Sequence, residues 1–133
     1  TGMAINVTSG RDNSLTAAGR DRPNQVLVDP YPATRSPSQW IIPAAFVPNP
    51  TGTFGTLGRN TLRAPGVLRV DVALSREFPI AERLRLEARG EGFNVINHAN
   101  FNAPSTNLSS ATFGRITSAG EPRILQFALK LHF

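Results

Sequence analysis

Three runs of strict polar and apolar alternation, separated by long stretches with no periodicity, constrain this chain more than any other feature. In the first, Leu68, Val70, Val72 and Leu74 point one way and Arg69, Asp71, Ala73 and Ser75 the other, with Phe78 closing the apolar face. In the second, Leu84, Leu86 and Ala88 oppose Arg83, Arg85, Glu87, Arg89 and Glu91; Gly90 and Gly92 thin its apolar face, and Phe93, Val95 and Ile96 mark a bulge or a register change. The third places Leu125, Phe127, Leu129, Leu131 and Phe133 opposite Gln126, Ala128, Lys130 and His132. A repeat of two is the signature of strands with chemically different faces. The fold class is therefore all-β, an antiparallel meander with long loops.

The rest of the chain punctuates these runs. Residues 1–8, with Met3, Ile5 and Val7 in alternation, read as the end of a strand. Residues 9–66 lose all periodicity, and prolines crowd the stretch from Pro23 to Pro50. Each proline removes a ladder donor and biases its predecessor away from the helix, so this segment is expected to be one long irregular loop. Residues 67–96 form a hairpin closed by a short connection at Pro79–Glu82, residues 97–122 a second long loop, and residues 123–133 the terminal strand. A faint internal likeness, Thr53-Phe-Gly-Thr-Leu57 and Thr112-Phe-Gly-Arg-Ile116, suggests that both loops end in the same kind of turn.

Composition narrows the classes further. Eleven glycines and eleven prolines in 133 residues fit a loop-rich β protein below the low-complexity range. The absence of cysteine removes disulfides and thiolate chemistry. The longest apolar stretch, Trp40 to Val47, is broken by Pro43, so no helical membrane span is expected, whereas a membrane barrel of short alternating strands stays open. The chain starts at Thr1 without signal-peptide character and is expected to be a segment of a longer protein. A net charge of +5 invites nucleic acid as a partner, but the arginines are scattered or alternate with acids and lack interleaved aromatics, so no nucleic-acid role is expected.

Short turns on one side, long polar loops on the other and alternating strands between them are the pattern of an outer-membrane barrel. In lipid every backbone polar group must be paired within the protein, so the few strands evident here are expected to be the end of a larger barrel.

The runs Thr53-Phe-Gly-Thr-Leu-Gly-Arg-Asn-Thr-Leu-Arg-Ala-Pro-Gly66, Val70-Asp-Val-Ala-Leu-Ser75, Glu91-Gly-Phe-Asn-Val-Ile-Asn-His-Ala-Asn-Phe101 and Phe113 to Phe133 resemble the C-terminal end of TonB-dependent receptors. The likeness is nearest to acidobacterial receptors with an N-terminal carboxypeptidase-regulatory-like domain. The resemblance implies a bacterial outer-membrane location and uptake of a scarce ligand through a plugged barrel. It implies contact with TonB only through an N-terminal plug that these residues do not include. Partners then expected are outer-membrane lipid, the rest of the same barrel and the barrel assembly machinery, whose signal would be Phe127, Leu129, Leu131 and Phe133.

No catalytic, cofactor or metal site is expected. His98 and His132 lack carboxylates at ligand spacing, and Asp71, Glu87 and Glu91 alternate with Arg69, Arg85 and Arg89 in the manner of cross-strand charge pairs in a wet lumen. Tyr31, Arg35, Trp40 and Phe46 are the candidate ligand-contacting residues of the long loop, although packing of Trp40, Ile41, Ile42 and Phe46 onto the barrel rim is the favoured account of the apolar ones, since an unpacked loop of this length would be disordered. Two other readings stand beside uptake: an adhesion or porin-type barrel segment, and a soluble antiparallel β binding module.

The terminal aromatic yields a direct expectation. An assembly signal acts while the strand is still an exposed edge awaiting a partner. Deleting Phe133 from the intact protein lowers the amount assembled in the outer membrane far more than the heat stability of barrels that do assemble. Membrane fractionation and heat-modifiability on gels measure the two quantities; normal assembly of a less stable barrel would reduce Phe133 to a packing residue.

Overall fold

The structure, a computed structural model, describes residues 2–133 and contains seven strands: β1 (Ala4–Ile5), β2 (Asn24–Gln25), β3 (Phe46–Val47), β4 (Leu62–Arg63), β5 (Val72–Ala81), β6 (Leu84–Phe93) and β7 (Ile124–His132). One turn of 3₁₀ helix, Pro43–Ala45, precedes β3. The chain divides into two units, one of Thr1–Val67 with Phe101–Ala119 and one of Leu68–Asn100 with Gly120–Phe133.

The second unit is the three-stranded sheet the alternation demands. β6 pairs antiparallel with β5 on one side and β7 on the other, in the order β5-β6-β7. The register puts Leu74 opposite Gly90 and Phe127, Arg76 opposite Ala88 and Leu129, and Phe78 opposite Leu86 and Leu131. Val72, Leu74, Phe78, Leu86, Leu125, Phe127, Leu129 and Leu131 therefore share one face, as their spacing requires. Phe127 lies across the bare backbone of Gly90, where an added Cβ would stand 3.5 Å from the ring.

Arg76 is the one charged residue of the strands on this apolar face, and its guanidinium carbon sits 5.2 Å from the centre of the Phe78 ring. The opposite face is a charge lattice. Arg85 pairs with Glu77 at 3.9 Å, Arg89 pairs with Glu91, and the His132 Nε2 meets Glu87 at 3.2 Å. Glu77 and Glu87 stand directly opposite one another, and these neighbours offset their repulsion.

Two boundaries differ from the sequence reading. The turn is the two-residue Glu82–Arg83 rather than Pro79–Glu82, because Pro79 is absorbed into β5 at a register shift between Pro79 and Ala81. Proline is accepted there because the register shift interrupts the ladder, and a bulge requires no donor. Regular pairing starts at Val72, not Leu68, because side chains replace the ladder further out. Asn100 exchanges two hydrogen bonds with the Leu68 backbone, and the Asp71 carboxylate accepts the Asn94 N–H at 2.8 Å. At the other limit β6 stops at Phe93, since Asn94 turns to a φ of 49°.

The first unit corrects the expectation of an irregular loop. Within the segment expected as a strand end, residues 1–8, of which Thr1 lies outside the described residues, β1 does not join the main sheet: it pairs with β4, Ile5 opposite Leu62, and β2 pairs with β3. Segments expected as separate loops are stitched together, with Thr8 N donating to Thr106 O and Leu108 N to Thr8 O, both at 2.9 Å. Ile5, Val7, Ile41, Phe46, Leu57, Leu62 and Phe113 are buried in one cluster. Full burial of such a side chain stabilises by about 1.5–3 kcal/mol, which holds together a body whose prolines forbid long ladders.

The two similar turn sequences are alike only in part. Leu57 and Ile116 are both buried, and Gly55 and Gly114 both press against backbone, on Arg22 O and Ile41 O respectively. Only Gly114 has positive φ, at 76°, and Phe113 is buried where Phe54 is exposed.

The apolar face of β5, β6 and β7 is exposed, with Leu74, Phe127 and Leu129 in the open, and its contact with lipid is testable. In a lipid-refolding assay of the barrel, Leu129→Arg costs about 2–4 kcal/mol, as expected for a cation near mid-bilayer. A neutral effect would show that this face meets water or protein.

Candidate functional site

Three of the four residues singled out in the long loop come together. Arg35 lies over the Tyr31 ring, its guanidinium carbon 3.8 Å from the ring centre, and 5.5 Å from the centre of the Trp40 ring. Both rings are tethered by their polar ends to one residue. The Trp40 Nε1–H donates to Arg63 O at 2.9 Å, and the Tyr31 hydroxyl accepts the Arg63 N–H at 2.7 Å. The Asp29 carboxylate accepts the Tyr31 N–H at 2.9 Å, which fixes the start of the turn that carries the ring.

Tyr31 and Trp40 are half-buried and Arg35 is exposed, so the result is an aromatic shelf with a cation laid on it. Trp40 N also donates to Gly114 O at 2.8 Å, which ties the shelf to the second loop segment. Beside it lies a cleft of about 300 Å³ lined by Ser38, Gln39, Ile41, Pro43, Phe113 and Arg115.

Phe46 lies apart from this group. It is 4% exposed and meets Phe113 edge to face at 5.8 Å between ring centres. Alternation along β3 turns Val47 outward and Phe46 into the core, so Phe46 packs the unit from within. Ile41 likewise is fully buried. The apolar residues of the Trp40 segment are thus divided between the core and an open shelf.

Arg63 and Arg115 had no signal in the sequence. Arg63 acts through its backbone, and Arg115 reaches the cleft only because Gly114 folds back on Ile41.

A second polar centre stabilises the unit. The buried Asp21 carboxylate accepts the Ser14 hydroxyl at 2.7 Å, the Ser14 N–H at 2.6 Å and the Asn49 side-chain N–H at 3.4 Å. The bonds from Ser14, with a smaller share from Asn49, hold the Asp21 carboxyl below its ordinary range despite its burial.

In the other unit, Phe127, Leu129 and Leu131 stand in the open on the apolar face, and Phe133 follows β7 and is 98% exposed. His132 is engaged with Glu87, while the His98 N–H donates to Asn94 Oδ1 at 3.2 Å. Among the described residues no group of three or more His, Cys, Asp or Glu side chains is placed to hold a metal.

A family model described as an outer membrane beta barrel domain matches residues 1–126. Comparison with curated proteins and with solved structures gives no match.

The depressed Asp21 pKa sets a pH response. A carboxyl that is more acidic when folded contributes stability above its unfolded pKa, and that contribution is lost as pH falls through the folded value. Hydrogen-exchange protection of the Ser14 amide is constant at neutral pH and falls below the ordinary carboxylate range. In Asp21→Asn it is lower at neutral pH and no longer varies there with acid; an unchanged acid response would place the titrating group elsewhere.

Proposed function

Since this chain belongs to the outer membrane beta barrel domain family, and so to a barrel of the bacterial outer membrane, we propose that it supplies C-terminal strands and extracellular loops of a TonB-dependent receptor. The observation that carries this reading is the loop unit itself. A passive pore needs loops only to narrow its mouth, whereas these loops build a body with its own core and an ordered aromatic shelf. Tyr31, Arg35 and Trp40 are the ligand-contacting residues in this reading.

The reading gives the chain no catalytic step. Energy coupling belongs to a plug contributed by another part of the receptor, and contact with TonB runs through that plug. The remaining strands of the barrel pair with the open edges of β5 and β7, lipid covers the apolar face, and the assembly machinery reads the Phe127, Leu129, Leu131 and Phe133 pattern. The resemblance of Thr53–Gly66 and Glu91–Phe101 to acidobacterial receptors supports the same assignment.

Reconstitution of the intact barrel into vesicles tests the proposal. A plugged receptor admits no small sugar in a swelling assay, and removal of its plug opens a conductance. Free passage of sugar through the intact protein would overturn active uptake in favour of a porin.

A further inference from the structure

We propose that the shelf takes a soluble anion, a solute bearing carboxylate or phosphate groups, with the edge of the Arg35 guanidinium as its primary contact. The inference rests on the reading of the shelf as a ligand-contacting surface and adds the chemical class of the ligand.

The argument begins with charge. The loop unit contains seven arginines and only three carboxylates, Asp12, Asp21 and Asp29, so its side chains carry +4 of the chain's +5. None of the three carboxylates answers an arginine. Asp12 accepts the Thr16 and Ala17 N–H groups, Asp21 accepts Ser14 and Asn49, and Asp29 accepts the Tyr31 N–H. The ion pairs of the described residues all lie in the sheet unit. The loop unit is therefore folded with its acids turned to backbone and to uncharged side chains and its arginines left without counter-charges.

Among those arginines Arg35 is the one held in place. Its guanidinium carbon sits 3.8 Å from the centre of the Tyr31 ring, and both shelf rings are anchored to Arg63, while the Arg35 N–H groups meet no acceptor among the described residues. A guanidinium already held against an aromatic ring loses less freedom on making a bidentate bond to carboxylate or phosphate. The neighbourhood adds charge. Arg63 is the residue that tethers both rings, and Arg115 follows the Gly114 carbonyl that accepts Trp40 N and lines the adjoining cleft with Ser38 and Gln39. A neutral ligand needs none of these cations, and a cationic one is repelled by them.

Calorimetric titration of the intact barrel, refolded free of lipopolysaccharide in neutral detergent, tests the assignment with citrate, pyrophosphate and sucrose as probes. At least one of the two anions binds saturably and sucrose does not. Arg35→Gln weakens anion binding about tenfold, the loss expected for a charge-assisted hydrogen bond; Arg35→Lys, which keeps the charge and loses the fork, gives an intermediate loss, and Arg20→Gln leaves affinity unchanged. Unaltered heat-modifiability on gels confirms that each variant is folded.

No saturable anion binding, or equal losses in Arg35→Gln and Arg20→Gln, overturns the proposal. Sucrose binding that Trp40→Ala abolishes and Arg35→Gln spares also overturns it, while leaving the shelf as a ligand contact. Binding indifferent to Arg35, Tyr31 and Trp40 alike removes both readings. Arg35-dependent binding of added lipopolysaccharide that neither soluble anion displaces assigns the cation to lipid and overturns the soluble ligand.

Discussion

An amide that enters hydrocarbon without a partner costs several kcal/mol, and that penalty governs the sheet unit. β6 is satisfied on both sides, but β5 and β7 each present an outer edge with no partner among the described residues. Both faces of β5 are exposed along its whole length. Such a sheet gains little by burial of its own side chains, and its stability comes from ladder bonds and from the medium that covers it. Its polar face is arranged for water, with Glu77, Arg85, Glu87 and His132 in one charge lattice. Its apolar face has the composition of a lipid-facing surface. The three strands are an arc of a barrel wall, and closure by further strands is the condition under which their backbone is at rest.

The loop unit obeys the opposite economy. Its ladders are two residues long and its prolines prevent longer ones, so regular hydrogen bonding contributes little to its cohesion. Burial replaces it. Ile5, Val7, Leu62 and Phe113 come from sequence positions far apart and converge on one cluster, while the buried Asp21 carboxylate is answered by Ser14. A small hydrophobic core under irregular backbone thereby gives rigidity to a chain that cannot form long strands.

The sheet was legible because its information is local. Alternation at Leu125, Phe127, Leu129 and Leu131 states strand, face and neighbour at once, and the meander order follows from chain connectivity. The loop unit was not legible as a body because its information is distant: nothing near Val7 indicates contact with Thr106, and nothing near Ile41 indicates Gly114. Tyr31, Arg35 and Trp40 stood out by residue type, yet their common tether at Arg63 is a tertiary fact. The displaced turn has a local cause that the sequence did carry, since a proline at an edge bulge reads the same as a proline in a turn.

Arg76 carries a consequence for the chemistry of the apolar face. A guanidinium on the lipid side of a barrel costs about 2–4 kcal/mol at the midplane and about 0–1 near the interface. Arg76 shares its row with Ala88 and Leu129, midway along the sheet, and its guanidinium carbon stands 5.2 Å from the centre of the Phe78 ring. An aromatic face is worth about 2 kcal/mol to a desolvated cation. Phe78 thereby acts as a solvent substitute for the one cation of the face, and a sheet that keeps the ring can keep the charge.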